Sequence, residues 1–170
     1  LPTSSFGQFD KQQFLSDFQK ADRKGRVKLA ANVDPKNMPE VFPFIKDTLD
    51  VIRRKVFTNS SSKEAKFLFD KIDVSHYISQ SQFAKAAILL ESSLSAHVRN
   101  LEDSIYCYQH LRECFMNLNN LSKVIETNTI YDRLALHSKD KRYINNIHKR
   151  SKIYDFFGLN KQALNELYKE

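Results

Sequence analysis

Residues 79–118 read SQSQFAKAAILLESSLSAHVRNLEDSIYCYQHLRECFMNL. Apolar residues fall at Phe83, Ala87, Leu90, Leu94, Val98, Leu101, Ile105, Tyr108, Leu111, Phe115 and Leu118. Steps of three and four place them on one stripe, because an α-helix turns once every 3.6 residues. Ser79-Gln80-Ser81-Gln82 has the form of a capping box, which would satisfy free N–H groups of a first turn. The pattern predicts a helix from about residue 80 to residue 118. Unbroken, it would be about 58 Å long at 1.5 Å per residue. It therefore either breaks near Ser92-Ser93 or Asn117–Asn120, or forms the spine of an elongated bundle or coiled coil. Within it AKAAILL (84–90) is apolar nearly all round, which predicts that this segment is buried.

Around this stretch, neither Pro nor Gly occurs between Pro43 and Gly158. Strand-rich folds need frequent turns and draw on those two residue types for them, so the expectation is an all-α fold. Towards the N-terminus a helix is expected over 8–21, with Phe9, Phe14 and Phe18 on one face. A connector follows from Asp22 to about Met38. Pro39 and Pro43 suit the start of a second helix running to about Phe57. NSSS (59–62) interrupts the chain, and Ser61-Ser62-Lys63-Glu64 reads as a capping box for a short helix. Further helices are expected over 121–137, 140–157 and 160–170. The predicted architecture is an elongated helical bundle or a short helical-repeat array on a long central helix. It forms one domain over 1–170, with 1–58 as an N-terminal helical pair and 61–170 as the main bundle the alternative division.

The chain has 170 residues, 41% hydrophobic and 28% charged. That is an ordinary globular balance with enough length to bury a core. No apolar run approaches the roughly 20 residues that span a bilayer. The start, LPTSSFGQFD, lacks the basic and apolar regions of a signal peptide. Cys107 and Cys114 stand two helical turns apart, roughly 10 Å, beyond the reach of a disulfide. Two free thiols favour an intracellular, cytoplasmic setting.

Three motifs carry chemistry on first inspection. FDKIDVSHYISQSQF (69–83) has the cadence of an EF-hand, which needs oxygen ligands at loop positions 1, 3, 5 and 9 and a bidentate Glu at 12. Counting from Asp70 puts Ile72, Val74 and Ser81 at positions 3, 5 and 12. Counting from Lys71 puts Gln82 at 12, and neither register supplies more than one carboxylate. The stretch is expected to be a helix end, a loop and the Ser79 cap. Cys107, His110 and Cys114 share a helical face, but structural zinc wants four ligands from two elements and no second cluster completes the set. No Gly-rich phosphate loop, G-x-S-x-G or H-E-x-x-H occurs. The expectation is a protein that is not an enzyme and takes no cofactor.

Net charge is +7 with pI ≈ 9.4. Residues 1–60 carry 11 Lys/Arg against 7 Asp/Glu, residues 61–130 carry 7 against 8, and residues 131–170 carry 9 against 5. The excess gathers in KADRKGRVK (20–28), RRK (53–55) and KDKRYINNIHKRSK (139–152). Clustered cations attract nucleic acid, anionic lipid or an acidic partner. The candidate anion contacts are Lys20, Arg23, Lys24, Arg26 and Lys28 in the first cluster. In the last they are Lys139, Lys141, Arg142, Lys149, Arg150 and Lys152, interleaved with an aromatic that could stack a base.

The C-terminal INNIHKRSKIYDFFGLNKQALNELYKE resembles a tetratricopeptide helical hairpin through Ile147, Ser151, Tyr154, Gly158, Ala163, Leu164 and Leu167. In that family the Gly ends one helix and the small Ala lets the second pack close. The segment also resembles a DNA-binding helix-turn-helix through Ile153, Phe157, Gly158, Leu159, Leu164 and Leu167, although Tyr154 stands where that unit prefers a small residue. One tetratricopeptide period back, Val124 and Thr129 occupy the Gly and Ala positions, so no tandem repeat follows.

Amphipathic helices without catalytic motifs point to a non-catalytic protein-interaction module, a scaffold, adaptor or effector with a basic surface. The alternatives are a nucleic-acid-binding protein using clusters 20–28 and 139–152, and a membrane-surface protein that dimerises through the 80–118 helix and meets anionic lipid.

Overall fold

The structure, a computed structural model, describes residues 9–59, 62–98, 100–138 and 150–167. The described residues form α-helices and one 3-10 turn, with no strand among them, as expected of an all-α fold; most of the helix expected over 140–157 lies outside the described residues. The chain groups into two units, the first ending at Ser81 and the second beginning at Gln82.

In the first unit, Asp10 starts helix α1 (Lys11–Lys20) by accepting the Gln13 N–H at 2.9 Å. Asp22 starts α2 (Arg23–Ala31) in the same way, accepting the Gly25 N–H at 2.7 Å. The expected connector over 22–38 is thus largely a helix. Gly25 disguises it, since glycine weakens helix interiors by up to about 1 kcal/mol. Here it lies in the first turn, where an added Cβ would come within 3.0 Å of the Asp22 carboxylate. A 3-10 turn (Pro35–Asn37) leads into α3 (Met38–Asn59), with Pro43 early in the helix. Ser62 then starts α4 (Lys63–Ser79), its Oγ accepting the Ala65 N–H at 3.3 Å.

Helix α4 corrects the reading of FDKIDVSHYISQSQF. Residues 69–79 are continuous helix, and Phe69, Ile72, Val74 and Ile78 are buried. Ser79 starts nothing; its hydroxyl donates to the His76 carbonyl at 2.7 Å. The turn comes two residues later, at Ser81, with φ 56°. The core of this unit joins Phe18 from α1 and Val27, Ala30 and Ala31 from α2 to α3 and α4. From α3 it takes Met38, Val41, Ile45, Leu49 and Ile52 at steps of three and four. Phe14 packs against it from α1, 6.1 Å from Phe18, as the spacing of the phenylalanines predicts.

The second unit begins with α5 (Phe83–Ala96) and α6 (Leu101–Asn117), so the continuous 80–118 helix does not form. The helix ends at Asn117, one of the two places expected, but it also breaks earlier, after Ala96 and beyond Ser92-Ser93. The His97 and Val98 N–H groups both bond back to the Ser93 carbonyl, and Asn100 accepts the Asp103 N–H at 2.8 Å. With Glu102 and Asp103 in its first turn, α6 has a start of its own. The same geometry corrects the expectation for AKAAILL: Ala86, Ala87 and Leu90 are buried, but Ile88 is 68% exposed. Helix α7 (Leu121–Ser138) packs on α6, and α8 (Arg150–Phe156) is followed by α9 (Asn160–Leu167). Gly158, φ 70°, joins the last two, while the Leu159 N–H reaches the Tyr154 carbonyl at 2.8 Å. This is a helix–glycine–helix hairpin with Ile153 and Ala163 buried, the geometry that both C-terminal resemblances share.

Between α6 and α7 the core of this unit includes Ile105, Tyr131 and Ala135. Arg112 is buried there as well, donating to the Asn128 side-chain oxygen at 2.9 Å with its guanidinium 4.7 Å from the Tyr131 ring centre. Burial pulls its pKa below the ordinary value. Cys107 and Cys114 are free and buried on α6. No described helix is long and apolar enough to cross a membrane.

Candidate functional site

The first turns of α2 and α4 and the last part of α3 enclose a pocket of about 440 Å³ in the first unit. Each helix contributes by its own periodicity. Helix α2 presents Arg23, Lys24 and Val27, α3 presents Ile52 and Lys55, and α4 presents Glu64, Ala65, Leu68 and Phe69. The floor is apolar and deep: Val27 and Ile52 are 5% exposed and Phe69 is 1% exposed. Around it Arg23, Lys24 and Lys55 are exposed to solvent. Glu64 faces Lys24 with 4.0 Å between Oε1 and Nζ. The N-terminal turns of two helices add their partial positive charge to the same mouth.

An apolar floor of this volume falls within the range of about 300–1,000 Å³ typical of ligand sites, where a few polar groups set orientation. Among the described residues, three cations against one carboxylate make the mouth net positive. The arrangement suits an occupant with an apolar body and negative charge beside it. The lining hydroxyl, Ser62, accepts the Ala65 N–H as the cap of α4.

The structure sorts the predicted contacts into different roles. Arg23 and Lys24 reach the pocket, while Lys20 and Lys28 are exposed and do not line it. Arg26 turns inward: its Nε donates to the Phe18 carbonyl at 3.0 Å and its Nη2 to the Gln19 carbonyl at 2.8 Å. These are end carbonyls of α1, so Arg26 ties α2 to α1. Lys139, Lys141, Arg142 and Lys149 lie outside the described residues, as does the side chain of Arg150. Lys152 is exposed on α8. Of the run 53–55, only Lys55 lines the pocket. Arg53 donates to Asp73 at 2.6 Å, and Arg54 Nε lies 3.4 Å from the Asp50 carbonyl.

His110 on α6 lies between its two cysteines in sequence, but its Nδ1 is 3.1 Å from Glu113 and its ring 4.5 Å from Tyr106. Among the described residues no group of three or more His, Cys, Asp or Glu is placed to hold a metal. A further set of titratable side chains joins α3 to α4. His76 stacks on Phe42 at 4.1 Å between ring centres, and burial lowers its pKa below 6.5 against the opposing pull of Asp73. Asp73 is itself raised above 3.8, since burial outweighs its hydrogen bond from Arg53.

No family model matches the chain, and no curated protein or solved structure matches it either. The pocket residues Val27, Ile52, Leu68 and Glu64 do not stand out in the sequence, because they are ordinary members of three separate helices. The legible signal was the pair of basic runs at 20–28 and 53–55, which the fold brings together at Arg23, Lys24 and Lys55.

Proposed function

We propose that the chain is a non-catalytic helical protein-interaction module, and that the first unit docks an acidic segment of a partner through an apolar anchor. The observation that supports this reading is the ring of Arg23, Lys24 and Lys55 around the floor of Val27, Ile52 and Leu68. An apolar side chain gains about 25 cal/mol for each Å² it removes from water on that floor. Carboxylates on either side of it meet the cations, giving charge complementarity and a faster encounter. A single-stranded nucleic acid would want an accessible aromatic face on which to stack, and among the described residues that line the pocket the aromatic, Phe69, is 1% exposed.

The test is a fluorescence anisotropy titration with a labelled acidic peptide carrying two leucines one helical turn apart. A version with Lys in place of Glu, duplex DNA and anionic vesicles serve as competitors. The acidic peptide binds, weakens with salt and is lost in Leu68→Asp, which places a charge on the apolar floor. Binding of duplex DNA or vesicles in its place overturns the reading.

A further inference from the structure

Among the described residues Glu64 is the one acidic side chain that lines the pocket, and it sits against one of the three cations that would receive an acidic partner. We infer that Glu64 tempers the affinity of this pocket for acidic partners by holding Lys24 until a partner carboxylate replaces it. The inference rests on the docking reading above and adds to it a residue that tunes affinity for the acidic partner.

Both side chains are mostly exposed, at 69% for Lys24 and 67% for Glu64, and 4.0 Å separates the charges. A pair of this kind holds weakly, because water screens it and both chains lose freedom in forming it. It is therefore an exchangeable partner: a carboxylate anchored by apolar contact below can displace Glu64, whereas a free anion has no such anchor. Occupants without negative charge leave the pair intact. Occupants with positive charge are attracted by Glu64 and repelled by Arg23, Lys24 and Lys55. The pocket thus favours an apolar anchor with adjacent negative charge, and Glu64 lessens the gain from that charge by competing for Lys24.

The labelled acidic peptide, its Lys-for-Glu version and an uncharged version are titrated against the full chain, Glu64→Gln, Lys24→Gln and the double variant. Glu64→Gln tightens the acidic peptide roughly two- to fivefold, the scale of an exposed ion pair. It weakens the Lys version and leaves the uncharged one unchanged. In the Lys24→Gln background the gain from Glu64→Gln shrinks, because no lysine remains to be released. A purely structural role for the pair would shift the melting temperature and move all three peptides alike. If the acidic peptide binds but Glu64→Gln leaves its affinity unchanged, or the gain survives without Lys24, the role of Glu64 is overturned and the docking reading stands. If no variant binds the acidic peptide, the docking reading falls and the role of Glu64 falls with it.

Discussion

Arg26 and Arg23 are three residues apart in one basic run, yet one ties two helices together and the other faces a pocket. Arg26→Ala removes two hydrogen bonds from a charged donor and is expected to cost about 1–3 kcal/mol, read from chemical denaturation. Arg26→Lys keeps the charge but loses the planar fork, and should recover little of that. Neither variant should change binding of the acidic peptide more than twofold under folding conditions. Sequence alone made both arginines candidates, because a charge count registers the guanidinium and not the carbonyls that it meets across a turn. Arg112 carries the opposite lesson. It falls on the buried face set by Ile105, Tyr108 and Phe115, so its position was readable from periodicity as a charge on an apolar stripe. Its partner Asn128, on the next helix, was not. The cysteines were more legible: spacing forbade a disulfide, and both are free. Burial, with Glu113 close by, pushes the Cys114 thiol up to about 12. Cys114 should therefore resist a thiol reagent at pH 8 and react once the chain is unfolded; rapid labelling of the native protein would contradict its burial.

At the scale of the helix, the sequence identified where apolar faces run and misplaced where they stop. The stripe across 83–118 continues in register through His97–Asn100, so periodicity could not reveal that Asn100 begins a new helix. The cap is local chemistry, Asn100 with Asp103, that a continuous stripe conceals. The Ser79 capping box failed for the converse reason, since α4 already carries its own pattern to Ser79 and turns at Ser81. Two variants separate these assignments. Ser81→Gly relieves a left-handed backbone and should stabilise by about 0.5–1 kcal/mol. Ser79→Ala should change stability by only a few tenths, where loss of a true helix cap costs about 1 kcal/mol. The contact of α3 with α4 also predicts a pH response. His76 is harder to protonate folded than unfolded, so its full contribution holds above pH 6.5 and is lost as the unfolded chain takes up the proton below it. Asp73 acts in the opposite sense, favouring the fold as pH falls through its raised value towards 3.8. The melting temperature should fall between pH 7 and pH 5, and His76→Phe should flatten that fall while leaving the Asp73 limb in place.

For the molecule as a whole, composition forecast a basic, all-helical protein but could not show how its charge is distributed. A net charge of +7 is compatible with a uniformly solvated surface. Only the fold gathers three of those cations over an apolar floor. The acidic peptide should slow amide exchange in α2, α3 and α4 and leave α6 and α7 as they were; protection spread equally over both units would place the contact elsewhere. The pocket has one further thermodynamic consequence. Val27, Ile52 and Leu68 come from three helices, so the floor exists only while all three are assembled, and the unfolded chain offers no equivalent. Occupancy is then linked to folding: a ligand at a hundred times its Kd adds about 2.7 kcal/mol to the stability of the unit that holds it. The partner would act as a folding ligand, and the first unit would resist heat by an amount that grows with the logarithm of the partner's concentration.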